Sequence, residues 1–157
     1  MTATTLTRDP DLLDMPDISL SATDAYAKWV ALDLIEVDSA TGCHFLTKRR
    51  LGDGRRAPGG NGYVGVEVDG KATYAHVVAF AASNHRAPGD GMEVAHVCAD
   101  IAHESGACSD TSSTCPFRAC INPGHLREMT HRENVLAGAS VVASLARRTH
   151  CPRGHAL

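Results

Sequence analysis

The sequence predicts an α+β fold: one small domain of short antiparallel strands and separate helices, propped by local staples. Three observations predict it. The chain has 157 residues, 43% of them apolar, enough for one hydrophobic core and few enough that cross-links within loops would add materially to stability. Short blocks of period 2 and of period 3.6 follow one another without an internal repeat. Residues 96–126, "HVCADIAHESGACSDTSSTCPFRACINPGHL", hold four of the six cysteines and three of the nine histidines in a polar stretch. That stretch is open to three readings: a disulfide-stapled loop, a structural metal site, or the metal-organised centre of an enzyme.

Residues 1–20 mix Thr, Asp and two prolines without a period and read as a mobile tail, leaving 21–157 as a single domain. In "SATDAYAKWVALDLIE" (21–36) Tyr26, Trp29 and Val30, continued by Asp33 and Leu34, fall at helical spacing, with Asp24 as N-terminal cap. "CHFL" (43–46) is a short strand and "KRRLGDGRRAPGGNG" (48–62) a Gly/Pro/Arg loop. "YVGVEVDGKATYAHV" (63–77) alternates about Asp69-Gly70 as a β-hairpin does, and a helix over 76–82 follows, with Val77, Val78 and Phe80 on its apolar face. "EVAHV" (93–97) and "HLREM" (125–129) read as antiparallel strands joined by the Cys-rich stretch, taken as irregular loop. Thr130 and Glu133 form a capping box that starts a helix at His131 and puts Asn134 in or just after its first turn.

No run approaches the roughly 20 apolar residues needed to span a bilayer, so a membrane partner is excluded on this reading. "MTATTLTRDPDLLDMPD" has neither the basic nor the apolar region of a secretory signal, which points to the reducing cytoplasm and weakens the disulfide reading. The net charge of −3 conceals an asymmetry: residues 1–38 carry −6 and the remainder +3. Lys48, Arg49, Arg50, Arg55 and Arg56 crowd into nine residues, and Arg147, Arg148 and Arg153 lie near the end. Such clusters can meet phosphates, although a solvated loop and a helix end also accommodate them.

Strand, long loop, strand and helix can converge His96, near the end of the first strand, with Asn134, early in the helix. At these residues the sequence resembles the His-Me finger (HNH-type, ββα-metal) endonucleases of phages and mobile elements, and within them the His-Cys box branch that includes homing endonucleases. The resemblance rests on His96, Cys98 two residues on, Cys120, the run Asn122-Pro123-Gly124-His125-Leu126, and Asn134 nine residues past His125. "TGCHF" resembles the segment that supplies one more zinc ligand, and "YAHVVAF" a His-Arg-Val-Ala helix start; the likeness spans about residues 26–155. It implies a zinc-stapled ββα-metal core with an N-terminal helix, an added hairpin and a Cys-rich insertion at 99–114. It also implies a general base, His96, and a magnesium-binding Asn134, with Mn²⁺ able to substitute. The chemistry is consistent: phosphodiester hydrolysis needs a deprotonated water, charge relief on the phosphate and help for the leaving oxygen. Imidazole supplies the first, and Mg²⁺ on an oxygen ligand the other two.

Two residues depart from the family's pattern. Ala95 stands where many relatives carry a metal-binding Asp, as in the branch that relies on Asn alone. Val77 stands where relatives carry Arg, so Lys71, Arg49 or Arg50 must take over any role in steadying the phosphate. His76, His85 and His131 are expected to be structural or exposed, and Asn122 to shape its turn and so orient His96.

The zinc ligands implied by resemblance are Cys43, Cys98, Cys120 and His125; in a competing register Cys115 replaces Cys98. A second zinc is expected on Cys108 and Cys115 with Cys151 and His155 of "HCPRGH", His103 lying nearby. The implied function is a metal-dependent endonuclease that nicks or cuts double-stranded DNA, with Lys48, Arg49, Arg50, Arg55, Arg56 and Lys71 as DNA contacts and a homodimer as one way to address both strands. The alternatives are a catalytically inactive, zinc-stabilised nucleic-acid-binding module and a disulfide-rich interaction protein.

Overall fold

The computed structural model describes residues 22–47, 62–109, 115–138 and 141–156. The expected tail and most of the Arg-rich loop lie outside them. Helix α1 (Ala22–Ala31) carries four alanines and Lys28, which lose little freedom in a helix and offset the β-branched Thr23 and Val30. Asp24 sits inside its first turn, where its charge favours the helix dipole, and is not the expected N-cap. Asp33 adopts φ 52° and the Leu34 N–H donates to the Trp29 carbonyl across 2.9 Å, which ends the helix before the expected Leu34. The chain turns directly into β1 (Ile35–Val37), a strand that sequence reading had merged with the helix pattern. It pairs antiparallel with β2 (His44–Leu46), Ile35 opposite Leu46.

Strands β3 (Gly65–Val68) and β4 (Lys71–Tyr74) form the expected hairpin. Asp69 and Gly70 both have positive φ, 52° and 70°, the conformation a two-residue turn needs to match strand twist. Helix α2 (Ala75–Asn84) runs longer than predicted, to His85 in the left-handed region at φ 52°. Its Val78 and Phe80 are buried, while Val77 is only partly so.

Strands β5 (Met92–His96) and β6 (Leu126–Thr130) pair antiparallel within one residue of the predicted limits, His96 opposite Leu126 and Met92 opposite Thr130. The segment after His96 is not irregular: α3 (Val97–Glu104) begins at once. It buries Ala99 and Ala102, one turn apart, and these side chains are too small to produce a legible apolar period. Two 3₁₀ turns follow, Pro116–Ala119 and Pro123–His125, each opening on proline where no N–H is needed. Helix α4 (His131–Ala137) starts at the predicted capping box: the Thr130 hydroxyl accepts from the Glu133 N–H, and the Glu133 carboxylate accepts from the Thr130 N–H at 2.8 Å. Such a cap contributes about 1 kcal/mol. Helix α5 (Val141–Ala146) packs on α4, and Arg147 donates to the carbonyls of Leu136 in its last turn and of its C-cap Gly138 at 3.1 and 2.8 Å.

The described residues thus form a mixed α+β structure with three two-stranded antiparallel sheets. Leu46, Val64, Ala75, Ala79, Phe80, Val94, Ile121 and Leu126 make the main core, flanked by Tyr26, Trp29 and Leu34 of the α1 region. Ala99, Ala102, Cys108 and Cys115 form a smaller core under Phe117. Among the described residues no helix is long and apolar enough to cross a membrane.

Candidate metal centre and active site

Four soft side chains converge between the first hairpin and the ends of the Cys-rich segment. Cys43 precedes β2, Cys98 lies in the first turn of α3, Cys120 ends the first 3₁₀ turn and His125 ends the second. Their ligand atoms all lie within 4.8 Å of one another. His125 Nδ1 is 3.6 Å from the Sγ of both Cys43 and Cys120. Tetrahedral zinc, with bonds of about 2.3 Å to sulfur and 2.0–2.1 Å to nitrogen, sets S···N edges at roughly 3.5 Å, so the spacing fits the ion. The grouping includes Cys98 and leaves out Cys115, in line with the first of the two registers.

The backbone is tied up to hold this geometry. Asn122 Nδ2 donates to the Gly42 carbonyl at 2.7 Å while its Oδ1 accepts from the Gly124 N–H at 2.9 Å, joining the two halves of the site across 80 residues. The Ile121 N–H donates to the His44 carbonyl at 2.8 Å. Asn122 thus shapes the turn as expected, but the group it orients directly is Gly42, not His96. Cys43 and Cys120 are fully buried. A hydrogen bond from Cys98 holds the Cys120 thiol down, to about 5, while the same contact and burial push Cys98 up. Three crowded thiols can share one negative charge this way; a divalent cation would let all of them ionise.

His96 closes β5 and is 5% exposed. Its Nε2 lies 3.0 Å from the Cys120 carbonyl oxygen. A carbonyl can only accept, so Nε2 carries the proton and Nδ1 is the basic nitrogen of the neutral ring. Burial pushes His96 down to about 4, with the Cys120 bond opposing and Arg118 adding to the shift, so the ring is neutral at neutral pH. Tyr63 stacks on it at 5.7 Å and the His76 ring lies 4.6 Å away. His76 is buried, its Nδ1 has no hydrogen-bond partner among the described residues, and desolvation drives it to about 3.

Asn134 lies in α4, which packs on both β5 and β6. Its Nδ2 donates to Glu93 Oε2 at 2.5 Å, and Glu93 Oε1 meets His131 Nδ1 at 2.7 Å. Those bonds, Asn134 first, hold the Glu93 carboxyl below its ordinary range. Glu93 was not singled out by the sequence. Strand alternation puts it on the same face of β5 as Ala95. His96 and Asn134 are both placed by the β5–β6–α4 unit, but no hydrogen bond joins them among the described residues.

Arg118 is the second residue that sequence reading missed. Its guanidinium lies 4.3 Å over the Tyr63 ring and bonds the Tyr63 hydroxyl, near enough to His96 to disfavour its protonation. Of the expected DNA contacts, Lys71 is exposed beside the hairpin turn, while Lys48, Arg49, Arg50, Arg55 and Arg56 lie outside the described residues. His85 and His131 are exposed as expected. Cys108 and Cys115 come together with His103, all three ligand atoms within 4.8 Å, and the expected tail residues do not join them. Instead the Cys151 N–H donates to the His155 carbonyl at 2.8 Å, folding the tail on itself. No protein-family model, curated protein or solved structure matches the chain.

Proposed function

We propose that the chain is a metal-dependent DNA endonuclease of the His-Me finger type, His-Cys box branch, with β5, β6 and α4 as its ββα-metal core and 5′-phosphate and 3′-hydroxyl ends as its products. The bond from His96 to the Cys120 carbonyl carries this reading. It puts the proton on the nitrogen that faces the cysteine centre and leaves Nδ1 to take a proton from water. General-base assistance of that kind contributes on the order of 10²–10⁴ in rate. Cys98 and Cys120 would both hold the same zinc, so the base would be bracketed by ligands before and after it.

The oxygen donors at α4 suit a hard cation. Asn134 gives its Nδ2 to Glu93, which leaves the amide oxygen for the ion, and the Glu93 carboxylate stands in for the acid missing at Ala95. Mg²⁺ bound there would supply charge relief on the scissile phosphate and its leaving oxygen. Arg118, beside Tyr63 and His96, takes the phosphate-steadying role that Val77 cannot fill. Lys71 and the Arg-rich loop hold the duplex backbone, a contribution independent of sequence.

The burial of His96 behind Tyr63 favours a second reading, a zinc-stabilised nucleic-acid-binding module without turnover. In the nuclease, Tyr63 must shift when DNA enters. Supercoiled plasmid separates the two readings: the nuclease converts it to open-circle or linear form with Mg²⁺ or Mn²⁺, whereas the binding module retards it in a gel and leaves it supercoiled.

A further inference from the structure

We propose that His103, Cys108 and Cys115 hold a second zinc ion whose fourth ligand is not sulfur. The three ligand atoms lie within 4.8 Å of one another and belong to residues outside the first centre. The Sγ atoms of Cys108 and Cys115 are 3.8 Å apart. Two thiolates bound at about 2.3 Å to tetrahedral zinc are separated by roughly that distance, whereas a disulfide needs about 2.05 Å. Both cysteines are buried, Cys115 at 1% exposure, while His103 is half-buried in the last turn of α3. Two sulfurs and an imidazole are the donors zinc prefers.

The local fold delivers these residues to one point. The Cys108 N–H donates to the Ala102 carbonyl at 2.9 Å, curling the chain back along α3 after Gly106, whose φ of 75° suits the reversal. Cys115 opens the 3₁₀ turn, with the Arg118 N–H bonded to its carbonyl at 3.3 Å, and Phe117 covers the cluster. One ion therefore cross-links the end of α3 to the start of the segment that ends in Cys120. Since Cys98 lies in the first turn of α3, the second centre holds at the far end two pieces of chain that the first centre holds at the near end. Of the remaining cysteines three belong to the first centre, and the Cys151 sulfur is not among the ligand atoms that gather here, so no fourth sulfur is at hand among the described residues.

Zinc content of the purified full chain tests this without reference to nuclease activity, so its outcome and that of the functional reading are separable. Two zinc ions per chain are expected, falling to one in the Cys108→Ser, Cys115→Ser double variant and in His103→Ala, and staying at two in Cys151→Ser. A single zinc in the wild type overturns the proposal, as does loss of one zinc in Cys151→Ser. Should the double variant fail to fold, X-ray absorption on the wild type still decides: sulfur coordination averaged between three and two per zinc supports the site, and three or more overturns it. Six titratable thiols in the denatured, metal-free chain are expected; four, with Cys108 and Cys115 the two that escape alkylation, would mean a Cys108–Cys115 disulfide and overturn the proposal.

Discussion

The ring of His96 is fixed by the backbone carbonyl of Cys120, 3.0 Å away, so the proposed base and the proposed zinc ligand are one mechanical unit. Cys98→Ser should therefore cost the first zinc and the activity together, because a structural zinc contributes roughly 10–16 kcal/mol of apparent binding energy in small zinc folds. Cys115→Ser should keep the first zinc and the nicking activity. Metal analysis and plasmid nicking on the two variants check this, and the opposite pattern would show that Cys115 is the ligand.

Where β5 meets α4, Glu93→Gln and Asn134→Ala should each raise the Mg²⁺ concentration needed for half-maximal nicking, by about 10–100-fold, the cost usual for disturbing a metal's supporting ligands. Duplex binding without metal should stay unchanged in both, since neither side chain is cationic. Metal titrations of nicking beside metal-free gel shifts measure the two effects, and an equal loss of binding and cleavage would make the pair structural.

These bonds show where the sequence was legible and where it was not. The Thr130–Glu133 box and the Asp69-Gly70 turn are local devices, written within a few residues, and both stand as read. The strands around His96 and Leu126 were found to within one residue for the same reason. Glu93 meets Asn134 across 41 residues and Arg118 meets Tyr63 across 55, and no local pattern encodes such pairs. Helix α3 was hidden because its buried face is alanine, and β1 because three residues directly after a helix show no period of their own. The cluster of Cys43, Cys98, Cys120 and His125 was named through resemblance, and the structure brings the four together. Cys108 and Cys115 meet His103, already noted beside them in the sequence and carried on the same helix as Cys98, and Cys151 and His155 are not in that group.

Neutralising Arg49, Arg50, Arg55 and Arg56 together should flatten the salt dependence of duplex binding, by up to about 0.9 in log–log slope for each phosphate that is no longer neutralised. Binding isotherms across a salt series provide the slope. An unchanged slope would remove this loop from the interface and leave Lys71 and Arg118 as the cations to examine.

Glu128 accepts from both Arg86 nitrogens, at 3.0 and 2.5 Å, and from the Gly89 N–H at 2.6 Å, bonds that lower its carboxyl to about 2. A depressed carboxylate adds stability above its ordinary value of 4.5 and loses it as pH falls through its folded value, so this contribution fades between about 4.5 and about 2. Glu128→Gln should accordingly lower the melting temperature at pH 7 and converge on the wild type as pH approaches 2. A gap between the two proteins that is constant with pH would mean the loss is one of packing rather than charge.

Whether His96 acts on water and not on the structural metal is decided by the His96→Ala variant, assayed for Mg²⁺-supported plasmid nicking with its zinc content measured on the same sample. Nicking should fall on the order of 10²-fold or more, as expected for loss of a general base, with full zinc content and an unchanged far-ultraviolet circular dichroism spectrum. Nicking retained at more than a few per cent of wild type in a zinc-replete, folded variant would contradict the assignment of His96 as the base.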